Sequence, residues 1–221
     1  TPTRRQRQMC IRDRSNGEDI IDFGMGNPDQ STPNPVVDKL IETVKNPATH
    51  RYSQSAGLPK LRAAMRDWYI RRYEVDLDID SEIVTCMGSK EGIAHLALAT
   101  LSNDDNVLVQ SPTYPIHSYG VVIAGANLHS ISLKNNEDAF IEDIEKKIIS
   151  LKSKPKMIII NFPSNPTTEA VSINFFEKIV EIGKKYDKLD LRKKILSSEM
   201  FGDTLKKFPY YSLIFFHPII G

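Results

Sequence analysis

The 221-residue chain has the composition of an ordinary globular protein, with 40% hydrophobic and 26% charged residues. Its formal net charge of +1 gives no electrostatic argument for binding nucleic acid or a membrane surface. No stretch approaches the ~20 consecutive apolar residues that a membrane-spanning helix needs. Cys10 and Cys86 lie too far apart in sequence for a metal-binding or redox motif, which fits a reducing, cytoplasmic location. We therefore expect small-molecule partners, with no nucleic acid, no membrane and no bound metal.

The N-terminal segment is basic, and no apolar segment follows it, so the pattern is not that of a secretory signal. Its arginines are Arg4, Arg5, Arg7, Arg12 and Arg14. A transit peptide and a nucleic-acid-binding arm are alternatives. We predict a non-native or disordered leader over residues 1–18, with the structured chain beginning near Asp19.

Two helices are predicted before the central part of the chain. A turn rich in Gly, Pro and Asn runs from Gly24 to Pro35, and apolar residues then recur at helical spacing over Val36–Val44. Pro59 opens the second helix, since proline in the first helical turn loses no hydrogen bond. The apolar face of that helix consists of Leu61, Met65, Trp68 and Tyr69.

From Ile83 onwards, short apolar segments alternate with amphipathic ones. The predicted strands are Ile83–Met87, Val107–Val109, Leu128–Leu133 and Met157–Ile160. The predicted helices are Ser89–Leu101, Tyr114–Ala124, Ile141–Leu151 and Ile173–Gly183. Uninterrupted apolar strands alternating with helices indicate an α/β domain with a mostly parallel sheet. After Asp187 this pattern breaks, and we predict no further strand of the same sheet.

The segment Gly88-Ser89-Lys90-Glu91-Gly92 lies where a predicted strand passes into a helix. Backbone N–H groups at a helix N-terminus favour an anion, and a Ser hydroxyl with a Lys ammonium strengthens that preference. The segment is therefore a candidate phosphate site. The alternative is a helix N-cap without a ligand.

Two further segments follow buried strands, at the edge of a parallel sheet where ligands bind. In Pro112-Thr113-Tyr114-Pro115, the aromatic side chain of Tyr114 can stack on a planar ligand. In Asn161-Phe-Pro-Ser-Asn165-Pro166-Thr167-Thr168, the proline restricts the backbone and can direct the Asn165 side chain at a ligand. Taken on its own, each segment is more simply interpreted as a turn.

Together the motifs resemble the ordered series of the class I/II, fold-type I, aminotransferases. The matching segments are Gly26-Asn27-Pro28-Asp29, Arg51-Tyr52-Ser53 with Gly57 and Leu61-Arg62, Gly88–Gly92, Pro112–Pro115 and Asn165-Pro166-Thr167. The segment Gly-Ser-Lys-Glu-Gly-Ile-Ala-His-Leu resembles the corresponding segment in the branch of the family that contains alanine–pyruvate and LL-diaminopimelate aminotransferases. The resemblance implies the three-layer large domain of a pyridoxal 5'-phosphate enzyme, which moves an amino group between an amino acid and a 2-oxo acid.

By this resemblance, individual residues receive expected roles. Ser89 and Lys90 would bind the cofactor phosphate, Tyr114 would stack on the pyridine ring, and Asn165 would hydrogen-bond its phenolic oxygen. Tyr52 is similar to the tyrosine that reaches the phosphate of the other subunit, which implies a homodimer. The backbone at Gly26 and Asn27 would contact the substrate carboxylate.

The sequence departs from the family after Asp187. The aspartate that holds the pyridinium nitrogen and the lysine that forms the Schiff base belong downstream, and neither motif is present. We therefore expect residues 19–187 to be a partial large domain, 188–221 a tail foreign to the family pattern, and the small domain mostly missing. The chain would then be an inactive fragment. Alternatives are another fold-type I enzyme, such as a carbon–sulfur β-lyase, or a non-catalytic domain with this fold.

Overall fold

The structure, a computed structural model, describes residues 8–9, 11–13, 15–18, 30–186 and 195–196. The chain divides into two compact units, residues 1–51 with 220–221 and residues 52–219. In the described part of the first unit, helix α1 spans Asn34–Val44 and a short 3-10 helix spans Pro47–Thr49. Within the predicted leader, residues 8–9 and 11–13 are helical. The origin of the leader outside the native sequence stays a prediction.

The second unit consists of five longer helices and a parallel sheet in its described part. The helices are α2 (Pro59–Tyr73), α3 (Ser89–Thr100), α4 (Pro115–Ile123), α5 (Glu137–Ser150) and α6 (Ile173–Lys185). The strands are β1 (Asn106–Ser111), β2 (Asn127–Ser132), β3 (Pro155–Ile159) and β4 (Ile195–Leu196). The strand order is β2-β1-β3-β4, and every pairing is parallel. This confirms the predicted α/β class with a parallel sheet.

The sheet is covered on both faces, because successive strand residues point in opposite directions. Val107 and Val109 of β1 pack with apolar residues of α3 and α4. Leu108, between them, packs instead with the apolar faces of α5 and α6. The three layers are therefore helices, sheet and helices, as expected for the large domain of a fold-type I enzyme.

Helices α5 and α6 are also joined at their polar margins. The Glu137 carboxylate accepts hydrogen bonds from the backbone N–H and the hydroxyl of Ser172, each at 2.7 Å. Further along the same two helices, Lys185 of α6 pairs with Glu145 of α5 at 2.7 Å. These contacts are exposed, so they align the two helices more than they stabilise them. No helix in the described part of the chain is long and apolar enough to cross a membrane.

The predicted strand over Ile83–Met87 is wrong. This segment has no strand pairing and runs as an irregular loop into α3. It is held instead by a hydrogen bond from the Thr85 N–H to the Ala56 carbonyl oxygen, 3.2 Å long. Gly57 has a φ of +89°, and a side chain on Gly57 would collide with Thr85. The segment is thus fixed against the neighbouring loop at Gly57 and is not paired with the described sheet.

The expectation of no further strand after Asp187 is also wrong. Ile195 and Leu196 pair in parallel with Ile158 and Ile159 of β3. These two apolar residues form the next parallel strand of the sheet. The preceding alternation of strands and helices requires a strand at this point in the chain. The foreign origin of residues 188–221 stays a prediction.

Candidate active site at the carboxyl edge of the sheet

The N-terminus of α3 has the backbone that an anion site needs. Gly88 precedes the helix with φ 84° and ψ 163°, a conformation that is essentially restricted to glycine. Ser89 and Lys90 are the first two residues of the helix, and no side chain caps its first turn. The first N–H groups of a helix have no acceptor within the helix. They are therefore available to a phosphate, and the helix dipole favours its charge.

The loop before this turn is fixed by the helix itself. The Glu91 carboxylate accepts a hydrogen bond from the backbone N–H of Met87. The same carboxylate lies 3.7 Å from the imidazole of His95, one turn further on. Glu91 thus holds the chain immediately ahead of Gly88 and leaves the amides of the first turn open.

The phosphate loop and the predicted ring-stacking residue lie together. Lys90 Nζ is 5.5 Å from the centroid of the Tyr114 ring. Tyr114 follows β1 and precedes α4, so it stands at the carboxyl edge of the sheet. The contact joins residues 24 positions apart in sequence, and it brings the Gly88–Gly92 and Pro112–Pro115 loops next to each other. A planar group on Tyr114 with an anionic substituent would place that charge beside Lys90.

His117 supports Tyr114 from within α4. The two rings meet edge to face, with centroids 6.0 Å apart. His117 Nδ1 is 2.7 Å from the Thr113 hydroxyl, which ties the residue before Tyr114 to the helix. Burial lowers the pKa of His117 to about 4, because the charged imidazolium is desolvated. His117 is therefore a neutral support and adds no charge to the site.

The lowered pKa of His117 predicts a loss of stability in mild acid. Below its ordinary pKa of 6.5, the unfolded chain binds a proton at this imidazole that the folded chain does not bind until about pH 4. The free energy of unfolding therefore falls as the pH falls through this window, by about 1 kcal/mol between pH 7 and pH 5.5. Urea denaturation of the wild type and of His117→Asn at both pH values measures this difference.

The asparagine variant is a matched control, because its side-chain oxygen can still accept a hydrogen bond from the Thr113 hydroxyl and it does not titrate. Other groups that titrate in the same window affect both proteins equally. We expect the wild type to lose about 1 kcal/mol more than His117→Asn over this range. Equal losses in the two proteins would show that His117 titrates normally in the folded state.

Asn165 lies in the loop after β3, and β3 is the hydrogen-bonded neighbour of β1. Both loops therefore leave the same edge of the sheet. The loop is closed by a 2.7 Å hydrogen bond from the Ser164 N–H to the Glu169 carbonyl oxygen. The Asn165 side chain is exposed at that edge. Within residues 30–186, no hydrogen bond or ring contact joins Asn165 to Tyr114, so its role stays a prediction.

Of the remaining predicted residues, Tyr52 is the one that lies in the described part of the chain. Tyr52 is fully exposed at the start of the second unit. This exposure is compatible with a contact to another subunit, but its role also stays a prediction. Gly26 and Asn27 lie outside the described residues.

Gln110, which is 2% exposed, received no role in the sequence analysis. It lies between the Pro112–Pro115 loop and the loop that carries Asn165. The predicted strand ended at Val109, whereas β1 continues to Ser111 and includes this glutamine. A polar residue that directly extends an apolar strand was the available signal, since buried amides require hydrogen-bond partners. His117 lies within the predicted helix Tyr114–Ala124 but received no role, because its contacts to Thr113 and Tyr114 cannot be read from the sequence.

The chain matches known aminotransferases over most of its length. The family described as aminotransferase class I and II matches residues 18–191. Glutamate-pyruvate aminotransferase AlaC of Escherichia coli is 52% identical over 176 residues, which are 80% of this chain and 42% of that protein. LL-diaminopimelate aminotransferase of Aquifex aeolicus is 40% identical over 171 residues, 77% of this chain and 44% of that protein. The chain therefore spans less than half the length of these two relatives.

The fold agrees with that of a solved relative. The aspartate aminotransferase of Thermotoga maritima superimposes with a TM-score of 0.74 at 26% sequence identity. The alignment covers 90% of this chain and 51% of that one. The family match includes the α3 N-terminus, Tyr114 and the Asn165 loop within one continuous segment. The chain therefore belongs to the class I and II aminotransferases, enzymes that use pyridoxal phosphate.

Proposed function

We propose that this edge of the sheet holds pyridoxal 5'-phosphate. Ser89, Lys90 and the first-turn amides of α3 bind the phosphate, Tyr114 stacks on the pyridine ring, and Asn165 hydrogen-bonds the phenolic oxygen. The observation that carries the proposal is the 5.5 Å contact between Lys90 Nζ and the Tyr114 ring, at a helix N-terminus that no side chain caps. A phosphate and an aromatic ring in one ligand match these two neighbouring surfaces.

The whole protein is proposed to be a transaminase of amino acid biosynthesis in the cytoplasm. It moves an amino group between an alanine-like or diaminopimelate-like amino acid and a 2-oxo acid. Support comes from the two relatives, one named for glutamate and pyruvate and the other for LL-diaminopimelate. We also propose a homodimer in which Tyr52 reaches the phosphate of the other subunit. The backbone at Gly26 and Asn27 contacts the substrate carboxylate.

When bound, the cofactor ring supplies an electron sink for the negative charge left at the substrate α-carbon. The residues of this chain do the binding and the orienting. Lys90 and the α3 amides offset the charge of the phosphate and fix one end of the ligand. Tyr114, supported by the neutral His117, would pack against one face of the ring. Fixing both ends of the ligand is what positions a reacting group for catalysis.

The 221 residues alone are proposed to bind the cofactor without turning over. After Asn165 the printed sequence has no Ser-Lys or Ser-x-x-Lys pair, which is where the family places the lysine that bonds to the cofactor. We expect saturable binding of pyridoxal phosphate. We also expect borohydride to fix no stoichiometric adduct on any single lysine, as judged by peptide mass spectrometry. A clean single-lysine adduct would show that the chain carries its own catalytic lysine.

The reaction of the whole protein is tested by its substrates. Transfer from alanine to 2-oxoglutarate, or from LL-diaminopimelate to the same acceptor, is the expected activity. Cleavage of cystathionine without amino transfer would instead identify a carbon–sulfur β-lyase. If the protein binds the cofactor but catalyses neither amino transfer nor cleavage, it would be a non-catalytic domain of this fold.

A further inference from the structure

Gln110 makes three hydrogen bonds to the loop that carries Asn165. Its Oε1 accepts from the Asn161 N–H at 2.7 Å, and its Nε2 donates to the Asn161 carbonyl oxygen at 3.1 Å. The same Nε2 donates to the Ser164 hydroxyl oxygen at 3.2 Å. Gln110 and Ser164 are both buried, at 2% and 3% exposed. Every one of these contacts spans at least 51 positions of the sequence.

The place of these contacts in the sheet explains their form. The residue pairing between β1 and β3 ends at Val109 and Ile159. One residue further along β1, the Gln110 side chain pairs with both the N–H and the C=O of Asn161. A carboxamide carries the same donor and acceptor as a peptide group. Gln110 therefore replaces the backbone pairing where the two strands diverge.

This replacement connects the two loops of the proposed cofactor site. Gln110 lies on the same strand that leads to Tyr114, and its contact residue Ser164 is the neighbour of Asn165. We propose that Gln110 is a positioning residue that sets where Asn165 stands relative to the Tyr114 ring. The inference rests on the proposed function, because the positioned groups are the proposed ring contacts.

The chemistry of the glutamine is specific. Methionine has a similar length and shape, but it would leave the N–H and C=O of Asn161 without their partners. Glutamate, when ionised, could accept from the N–H but could not donate to the carbonyl or to Ser164, and burial would penalise its charge. Both variants should release the loop without removing any group that contacts the cofactor.

Gln110→Met is the principal variant, and Asn106→Leu is its matched control. Asn106 is also on β1, at the opposite end of the strand, and its Nδ2 donates to the Ser153 carbonyl oxygen at 2.8 Å. Both substitutions therefore remove a side-chain amide that joins β1 to the chain beside it. A general loss of stability should therefore appear in both variants. Only Gln110 lies at the edge of the proposed site, so an effect on the site should appear only in Gln110→Met.

The first measurement is cofactor binding by equilibrium dialysis on the full chain. We expect Gln110→Met to weaken pyridoxal phosphate about tenfold, the loss of one good hydrogen bond. Inorganic phosphate, which needs only the α3 end of the site, should bind within about twofold of wild type. The double variant Gln110→Met/Asn165→Ala should bind pyridoxal phosphate no more weakly than Asn165→Ala alone, because Gln110 acts through Asn165. Additive losses would overturn the inference.

The second measurement is amide hydrogen exchange without any ligand. Loss of the Gln110 acceptor should speed exchange at Asn161 by about tenfold or more. Asn106→Leu should leave it unchanged. Unaltered exchange at Asn161 in Gln110→Met would overturn the inference even if the wild type bound no cofactor. Failure of the wild type to bind pyridoxal phosphate would instead reject the proposed function.

Discussion

Replacing Phe175 with alanine is expected to lower the free energy of unfolding by about 3–5 kcal/mol, the usual cost of removing a fully buried phenylalanine. Phe175 is fully buried in the layer between the sheet and helices α5 and α6. Its ring stacks on Phe140 at 5.9 Å and meets Phe162 edge to face at 5.4 Å. Alanine would leave a cavity bounded by rigid rings that cannot collapse to fill it.

Urea denaturation followed by circular dichroism measures this change, with Ile173→Ala as the control. Ile173 is the first residue of the same helix and is 39% exposed, so its loss should cost less than about 1 kcal/mol. Small domains are stable by only about 5–15 kcal/mol, so Phe175→Ala should remove a large fraction of the total. A variant no less stable than Ile173→Ala would mean that this aromatic layer is not the core.

The same substitution links the core to the proposed site. Phe162 lies three residues before Asn165 and packs against Phe175 and Phe176. The hydrophobic layer therefore anchors one end of the Asn165 loop, and Gln110 holds its polar backbone. Burial of Phe162 fixes where the loop starts, and the hydrogen bonds of Gln110 fix the direction of its backbone. We expect Phe175→Ala to weaken pyridoxal phosphate binding even in urea-free buffer.

The sequence predicted most of the sheet because burial on both faces leaves a direct signal. The strands around Val107–Val109 and Met157–Ile160 were found as uninterrupted apolar runs, which is typical of parallel strands between two helical layers. The helices between them were found from apolar residues three and four positions apart. These signals are local, and the structure confirms them to within a few residues.

The two errors concern strands whose existence depends on a partner. Ile83–Met87 has a suitable β-branched and apolar composition, but strand propensity acts only where a neighbouring strand offers hydrogen bonds. The segment packs on Gly57 instead. Ile195–Leu196 has too short a pattern to predict, yet the exposed edge of β3 supplies the partner. In both cases the deciding contact lies far away in the sequence.

The candidate site divides in the same way. Ser89, Lys90 and Tyr114 could be proposed as ligand contacts because their motifs are short and continuous, and the structure brings Lys90 to Tyr114. Gln110 could not be assigned a role, since its partners Asn161 and Ser164 lie more than 50 positions further on. Groups that contact a ligand tend to leave motifs. Groups that position them are recognised only through their contacts.

Lys90→Met is expected to weaken pyridoxal phosphate binding about 10- to 100-fold, as a hydrogen bond between charged groups is worth roughly 1.5–3 kcal/mol. Methionine keeps most of the aliphatic stem of Lys90 and removes its charge. The amides of α3 remain in place, so binding should be weakened and not abolished. Equilibrium dialysis at low and high salt measures the effect, which should shrink as salt screens the charge.

Two controls separate the phosphate from the ring. Lys152→Met removes an exposed lysine on the loop after α5, and it should leave binding unchanged. Pyridoxal without its phosphate should bind Lys90→Met and the wild type equally well, since it offers nothing for the ammonium group to hold. If Lys90→Met weakened both ligands equally, Lys90 would act on the ring through Tyr114, which its Nζ faces at 5.5 Å, and not on the phosphate. The phosphate would then be held by Ser89 and the helix amides, and the anion site proposed at the start of α3 would lose its charged side chain.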